Sequence, residues 1–187
     1  AGADCADRAS RVRARVLDAL WERFPTSDGS ARAVRERCAT GAPPPTAALI
    51  YGEADHEALA LALPRARALG ARVDGGCFVD VGSGTGKMVL AAAVLAPFAR
   101  AVGVEIVGAL HARALEAREW FEAEARPALE ACFDDGAAPG GGARAARAEL
   151  VHGSAMDAAV CDWAGAADLV LVNCLTWEDA LLRELAA

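Results

Sequence analysis

Residues 78–87 read Phe-Val-Asp-Val-Gly-Ser-Gly-Thr-Gly-Lys, a stretch that spells out the core of the architecture. An apolar run closes on Asp80, a glycine-dense turn follows, and residues 88–95 are apolar again. That order spells a strand, a tight turn and the start of a helix, with a carboxylate at the strand tip. Gly82, Gly84 and Gly86 carry no Cβ, so the backbone can turn sharply there and approach a ligand closely. The arrangement suits a ligand that carries an amine or ribose hydroxyls.

Two rival loops fail on the letters. A P-loop needs Gly-x-x-x-x-Gly-Lys-[Ser/Thr]. Here Val81 stands in place of the first glycine, Met88 replaces the metal-binding hydroxyl, and Asp80 would repel phosphates. A dinucleotide fingerprint needs Gly-x-Gly-x-x-Gly, whereas this turn is Gly-x-Gly-x-Gly, one residue shorter. A bare strand-to-helix turn is the remaining alternative.

The next strand supplies a partner. Arg100-Ala-Val-Gly-Val-Glu105 is a short apolar run ending in an acid, 25 residues after Asp80. In nucleotide-binding α/β sheets an acid at this position accepts hydrogen bonds from ribose hydroxyls. The alternative is a surface glutamate that opens a helix, favoured by the helix dipole.

Working outward, helical patterning covers 6–24 and about 30–39, split by Pro25-Thr-Ser-Asp-Gly29. Gly41-Ala-Pro-Pro-Pro45 reads as a stiff polyproline linker. Tyr51-Gly-Glu53 follows on a turn. A helix is predicted from about Asp55 toward Gly70, kinked or broken near Pro64. Strands are predicted at 77–81, 101–105, 149–152 and 168–172. Helices are predicted at 87–96, 108–132, near 156–160, and at 177–186. Residues 134–143 are glycine-rich and read as a mobile insertion. The chain thus divides into an N-terminal helical segment with its linker, 1–45, and a ligand-binding unit, 46–187. Alternating strands and helices imply a doubly wound parallel α/β sheet with right-handed crossovers and a ligand beyond the carboxyl ends of the strands. Asp80, Glu105, Gly153-Ser154 and Asn173 all fall at such ends.

Composition sets bounds. With 187 residues the chain can bury a real core, although alanine inflates its 55% hydrophobic share. No run of 18 apolar residues suggests a membrane span, and no signal peptide opens the chain. Six cysteines, at 5, 38, 77, 132, 161 and 174, form no Cys-x-x-Cys pair, and three histidines are scattered. No metal site is expected; Cys77 and Cys174 read as packing thiols, and intracellular residence fits. A net charge of −7 argues against broad capture of nucleic acid, so direct binding is expected to be weak or indirect. Eight arginines nevertheless lie between Arg8 and Arg37, against Asp18, Glu22, Asp28 and Glu36. They form either a docking surface for an acidic partner or the solvated faces of two helices. Lys87 is the only lysine.

At this point the chain resembles the disruptor-of-telomeric-silencing family of histone H3 lysine methyltransferases, within the class I S-adenosylmethionine-dependent methyltransferases. Tyr51-Gly-Glu53, the segment Phe78-Val-Asp-Val-Gly-Ser-Gly-Thr-Gly86, Val102-Gly-Val-Glu105 and Val170-Leu-Val-Asn173 carry the likeness, which covers roughly 48–186. It implies a Rossmann-like fold and S-adenosyl-L-methionine as cofactor. Tyr51 and Glu53 would belong to a lid over the methionine end. Asp80, Gly82, Ser83, Gly84, Gly86 and Lys87 would hold that end, Glu105 the ribose and Ser154 the adenine. Asn173, with Glu53, would shape the methyl-transfer site. The implied partner is histone H3 or the nucleosome, in the nucleus; a different substrate would leave a cytoplasmic location open.

This sequence departs from the family in three places. Gly153-Ser154-Ala155 stands where the family has Gly-Asp-Phe, Cys174-Leu-Thr-Trp177 replaces a second asparagine and phenylalanines, and Lys87 replaces a common glutamine. Four strands are expected where the fold has seven, so the chain reads as a fragment. Besides a histone-lysine methyltransferase, two readings stay open: a class I methyltransferase for another protein, a small molecule or RNA, and a non-catalytic cofactor-binding or interaction module.

Overall fold

The apolar run around Phe78 forms β1 (Cys77–Val81), buried along its whole length. In a computed structural model, which describes residues 2–41, 52–133 and 145–173 together with Asp179 and Arg183, three more strands join it. They are β2 (Arg100–Glu105), β3 (Arg147–His152) and β4 (Leu169–Val172). All pairings are parallel, in the order β3-β2-β1-β4. Parallel strands covered on both faces read as continuous apolar runs rather than alternating ones, which is why Phe78-Val79 and Val102-Gly-Val104 show no polar face. The register sets Val81 beside Val104 and Val172, and Glu105 beside His152. Asp80, Glu105, Ser154 and Asn173 therefore do lie along one carboxyl edge.

Helix α4 (Lys87–Leu95) crosses from β1 to β2 and is buried almost throughout. From β2 to β3 runs a single rod: α5 (Gly108–Trp120), a π-helical turn (Phe121–Ala125) and α6 (Arg126–Phe133). The expected helix 108–132 is thus present with one irregular turn inside it. The short helix expected near 156–160 is instead a pair of turns, closed by Asp157 N–H to the Ser154 carbonyl and Val160 N–H to the Asp157 carbonyl. The short helix before β4 is α7 (Trp163–Ala166), where the Asp162 carboxylate caps Gly165 N–H.

Three helices precede the sheet: α1 (Gly2–Arg23), α2 (Thr26–Thr40) and α3 (His56–Ala68). The expected break at 25–29 is narrower than its letters suggest. Pro25 is the N-cap and Thr26, Ser27 and Asp28 form the first turn of α2, where an acid favours the dipole. Pro64 does not break α3. Leu59 and Leu63 are both buried in the core, and this packing holds the helix together through the proline. The Pro-rich linker, Tyr51, Cys174, the glycine-rich insertion and nearly all of the expected helix 177–186 lie outside the described residues. No described helix is long and apolar enough to cross a membrane.

One face of the sheet carries the main core. Val16, Leu17, Leu20 and Phe24, from α1 and its exit, pack in the same cluster as Phe78, Leu90, Phe98 and Phe121. On the other face Val79, Val81 and Val102 pack with Trp163, Val170 and Val172. Leu20 has no exposed surface, so Leu20→Ala should lower unfolding free energy by about 2–5 kcal/mol, the cost of a large-to-small core change. Urea unfolding checks this. A loss below about 0.5 kcal/mol, the scale of a surface change, would mean that α1 does not share the core.

Candidate functional site

The turn after β1 adopts left-handed backbone at every second residue, with φ of +77° at Gly82, +54° at Gly84 and +74° at Gly86. Glycine tolerates that region without a Cβ penalty, and this accounts for the Gly-x-Gly-x-Gly spacing. The turn is pinned to the neighbouring strand, since the N–H groups of Gly82 and Ser83 both donate to the Val104 carbonyl, at 2.9 and 3.0 Å. Gly103 makes room for it: a Cβ there would sit 2.7 Å from Ser83 Oγ and from Val89 Cγ2. The glycine in Val102-Gly-Val-Glu105 is therefore a packing requirement of the turn. Gly86 caps α4.

Two acids lie beneath this turn. Asp80 is 3% exposed. Burial, and then the like charge of Glu105, push its carboxyl up to about 7. Glu105 is also buried. Its Oε2 accepts from Gly84 N–H and its Oε1 from Val107 N–H, each at 2.7 Å. Burial raises its pKa and those backbone donors oppose the rise. Glu105 thus ties the turn after β1 to the turn after β2.

A third acid arrives from the segment before α3. Glu53 Oε1 accepts from Thr85 Oγ1 at 2.6 Å, and Oε2 pairs with Lys87 Nζ and accepts from Thr26 Oγ1. From the far side, Asn173 Nδ2 donates to the Gly52 carbonyl at 3.0 Å. Glu53, Asp80, residues 82–84, Lys87 and Asn173 thus wall one cleft. It is nearly closed, with a volume of about 20 Å³, room for about one water. At that volume the cleft as it stands does not admit a nucleoside-sized ligand.

The other expected residues fall elsewhere. Gly86 supports the cleft from α4 without lining it. Ser154 follows β3, two strands from β1, and its Oγ accepts from Met156 N–H at 3.2 Å; it is not part of the cleft wall. Tyr51 lies outside the described residues.

Other features of this edge left no mark in the sequence. Glu36, on α2, accepts from Ala109 N–H and so caps α5. His152 Nε2 bonds the Ile106 carbonyl at 3.1 Å, and its ring stacks on His111. None of these pairs has a local spacing that announces it. Among the described residues no cluster of three His, Cys, Asp or Glu side chains could hold a metal. A wider open groove, about 870 Å³, lies between β3 and the α5–α6 rod. Two of its ion pairs are internal, Arg126 with Glu122 and Arg147 with Glu149, and it holds neither the glycine turn nor the buried acids. The cleft at the carboxyl edge is the stronger candidate.

The raised pKa of Asp80 has a signed consequence for stability. Its folded value of about 7 lies above the ordinary 3.8, so the folded state retains a proton that the unfolded chain gives up. The contribution is fully present below about pH 4 and is lost as pH rises through about 7. The scale is a few kcal/mol, at about 1.4 kcal/mol for each pH unit separating the two values. Glu105 acts in the same direction. Asp80→Asn should flatten this decline relative to the parent, measured as urea midpoints across that range. Parallel profiles for the two proteins would mean that Asp80 is ionised throughout.

The sequence profile described as histone methylation protein DOT1 matches residues 44–187. The matched stretch takes in Gly52, Glu53, the whole parallel sheet and Asn173. No curated protein matches the chain. A match over most of the chain, on a Rossmann-like parallel sheet with its cleft at the carboxyl edge, places the chain in the DOT1 family of histone methylation proteins, which are class I methyltransferases.

Proposed function

We propose that the chain is an S-adenosylmethionine-dependent protein-lysine methyltransferase whose acceptor is a lysine of histone H3 in the nucleosome. The observation that carries the cofactor is Asp80. It is a buried carboxylate on the cleft wall, its pKa raised by burial and then by the like charge of Glu105. Such a group is relieved by a ligand that brings its own cation. The cofactor is an amino acid with an ammonium group and a sulfonium, so it fits. The family membership carries the reaction class.

S-adenosylmethionine supplies, when bound, a methyl group activated on sulfur. The chain's own residues bind, orient and dry the site. Asp80 holds the ammonium, and the glycine turn permits close backbone approach. Glu105 accepts from backbone N–H groups on both oxygens, and a carboxylate's roughly four lone-pair sites leave room for ribose hydroxyls. Asn173 and Glu53 close the cleft from opposite ends of the chain, and closure excludes water. A dry channel favours the neutral form of an incoming lysine amine, so no proton-abstracting residue is assigned; catalysis is alignment of donor and acceptor. Nuclear residence follows from a histone acceptor.

Asp80→Ala and Glu105→Ala should each weaken S-adenosylmethionine binding by about 1–3 kcal/mol, the scale of hydrogen bonds to charged groups, as read by calorimetry. Unchanged affinity in both variants would place the cofactor elsewhere. Asn173→Ala should lower turnover on nucleosomes more than it lowers cofactor affinity. Methyl transfer to RNA or a small molecule, with none to nucleosomes or free histone, would retain the cofactor and discard the acceptor.

The adenine end gives a separate test. With the Ser154 hydroxyl engaged by Met156 N–H, Ser154→Asp should tighten cofactor binding by about 1 kcal/mol, the worth of one added hydrogen bond. Equal or weaker binding would assign the adenine to another residue.

A further inference from the structure

Lys87 stands against two local rules. It is the first residue of α4, where the helix dipole disfavours a cation. It is also 2% exposed, and burial of an unpaired ammonium is costly. No acid in the first turn of α4 compensates. Relief comes from two other parts of the chain. Nζ donates to the Phe24 carbonyl at 2.8 Å, at the corner between α1 and α2. It pairs with Glu53, whose side chain is 10% exposed, and it lies 5.0 Å from the centroid of the Trp21 ring of α1. An ammonium has three donors, and a carbonyl, a carboxylate and an aromatic face are there to meet them. The same Glu53 carboxylate accepts from Thr26, the first residue of α2, and from Thr85 in the glycine turn. Three separate segments thus meet around one ion pair: the α1–α2 corner, the strap before α3 and the head of α4.

We propose that Lys87 is a positioning residue, which fixes the Glu53 carboxylate on the cleft wall and makes the α1–α2 corner a working part of the ligand site. The ion pair supplies the negative charge that the N-terminus of α4 lacks and holds the strap down. The corner of the N-terminal helices anchors the cation from behind through the Phe24 carbonyl. A change in how α1 and α2 pack is then felt at the cleft through Lys87, although neither helix lines it. Glutamine at this position would keep a donor for the carbonyl but would remove the ammonium charge that pairs with Glu53.

The binding arm of the test rests on the cofactor reading above; the spectroscopic arm does not. Lysine labelled with ¹³C at Cε gives a single signal from the 187-residue chain, because Lys87 is its only lysine. Glu53→Gln should move that signal clearly, with the β1 amides unaffected. In the binding arm, Lys87→Met should weaken S-adenosylmethionine about tenfold in the parent and less than about twofold in Glu53→Gln, because a residue that acts through another loses its effect when that other is removed. Losses that simply multiply, or a lysine signal indifferent to Glu53→Gln, would overturn the proposal. Should the parent bind no cofactor, the cofactor reading falls, and the lysine signal alone decides the role of Lys87.

Discussion

The close contact between the turn after β1 and the end of β2 is the constraint on which the rest of the site depends. Two amides of the turn converge on the Val104 carbonyl and a third reaches the Glu105 carboxylate. That geometry is possible only because the turn passes through left-handed backbone and because Gly103 leaves a gap beneath Ser83. Once the turn is pressed onto β2, Asp80 is buried, Gly86 caps α4, and Lys87 reaches back to the N-terminal helices. Fold and site thus share one set of hydrogen bonds.

The charges of the site follow from that burial. Asp80, Glu105 and Glu53 converge on the cleft region with a single buried ammonium among them. Each acid is handled differently. Glu105 is partly satisfied by backbone donors, Glu53 is paired with Lys87 and accepts from two threonine hydroxyls, and Asp80 has its pKa raised to about 7 by burial. Of the three, Asp80 has the most to gain from an arriving cation.

Much of this was legible in the letters because it is local. Strand limits at 77–81, the glycine spacing and the acids at strand tips are set by interactions within a few residues, and period and turn chemistry report those directly. Gly52, Glu53 and Asn173, which carry part of the likeness to the family motifs, line one cleft. What escaped is long-range. Nothing near Lys87 says that its partner is a carbonyl 63 residues earlier, and nothing near Glu36 says that it caps a helix 73 residues later. Local rules also misled where packing overrode them. Pro64 stays within α3, where Leu59 and Leu63 anchor the turn that leads into it, and Thr26-Ser-Asp28 belongs to a helix start rather than to a loop. Ser154 does follow β3, as its position in the letters implies, yet no sequence pattern shows that its hydroxyl is engaged by its own turn.

Lys87 has one more consequence, for the surface of the chain. The sole lysine of these 187 residues is buried, and every other basic side chain is an arginine or a histidine. On the proposed lysine acceptor, none of these 187 residues offers an exposed lysine amine that a neighbouring copy could methylate; the exposed cations here are guanidinium groups, which that chemistry does not touch.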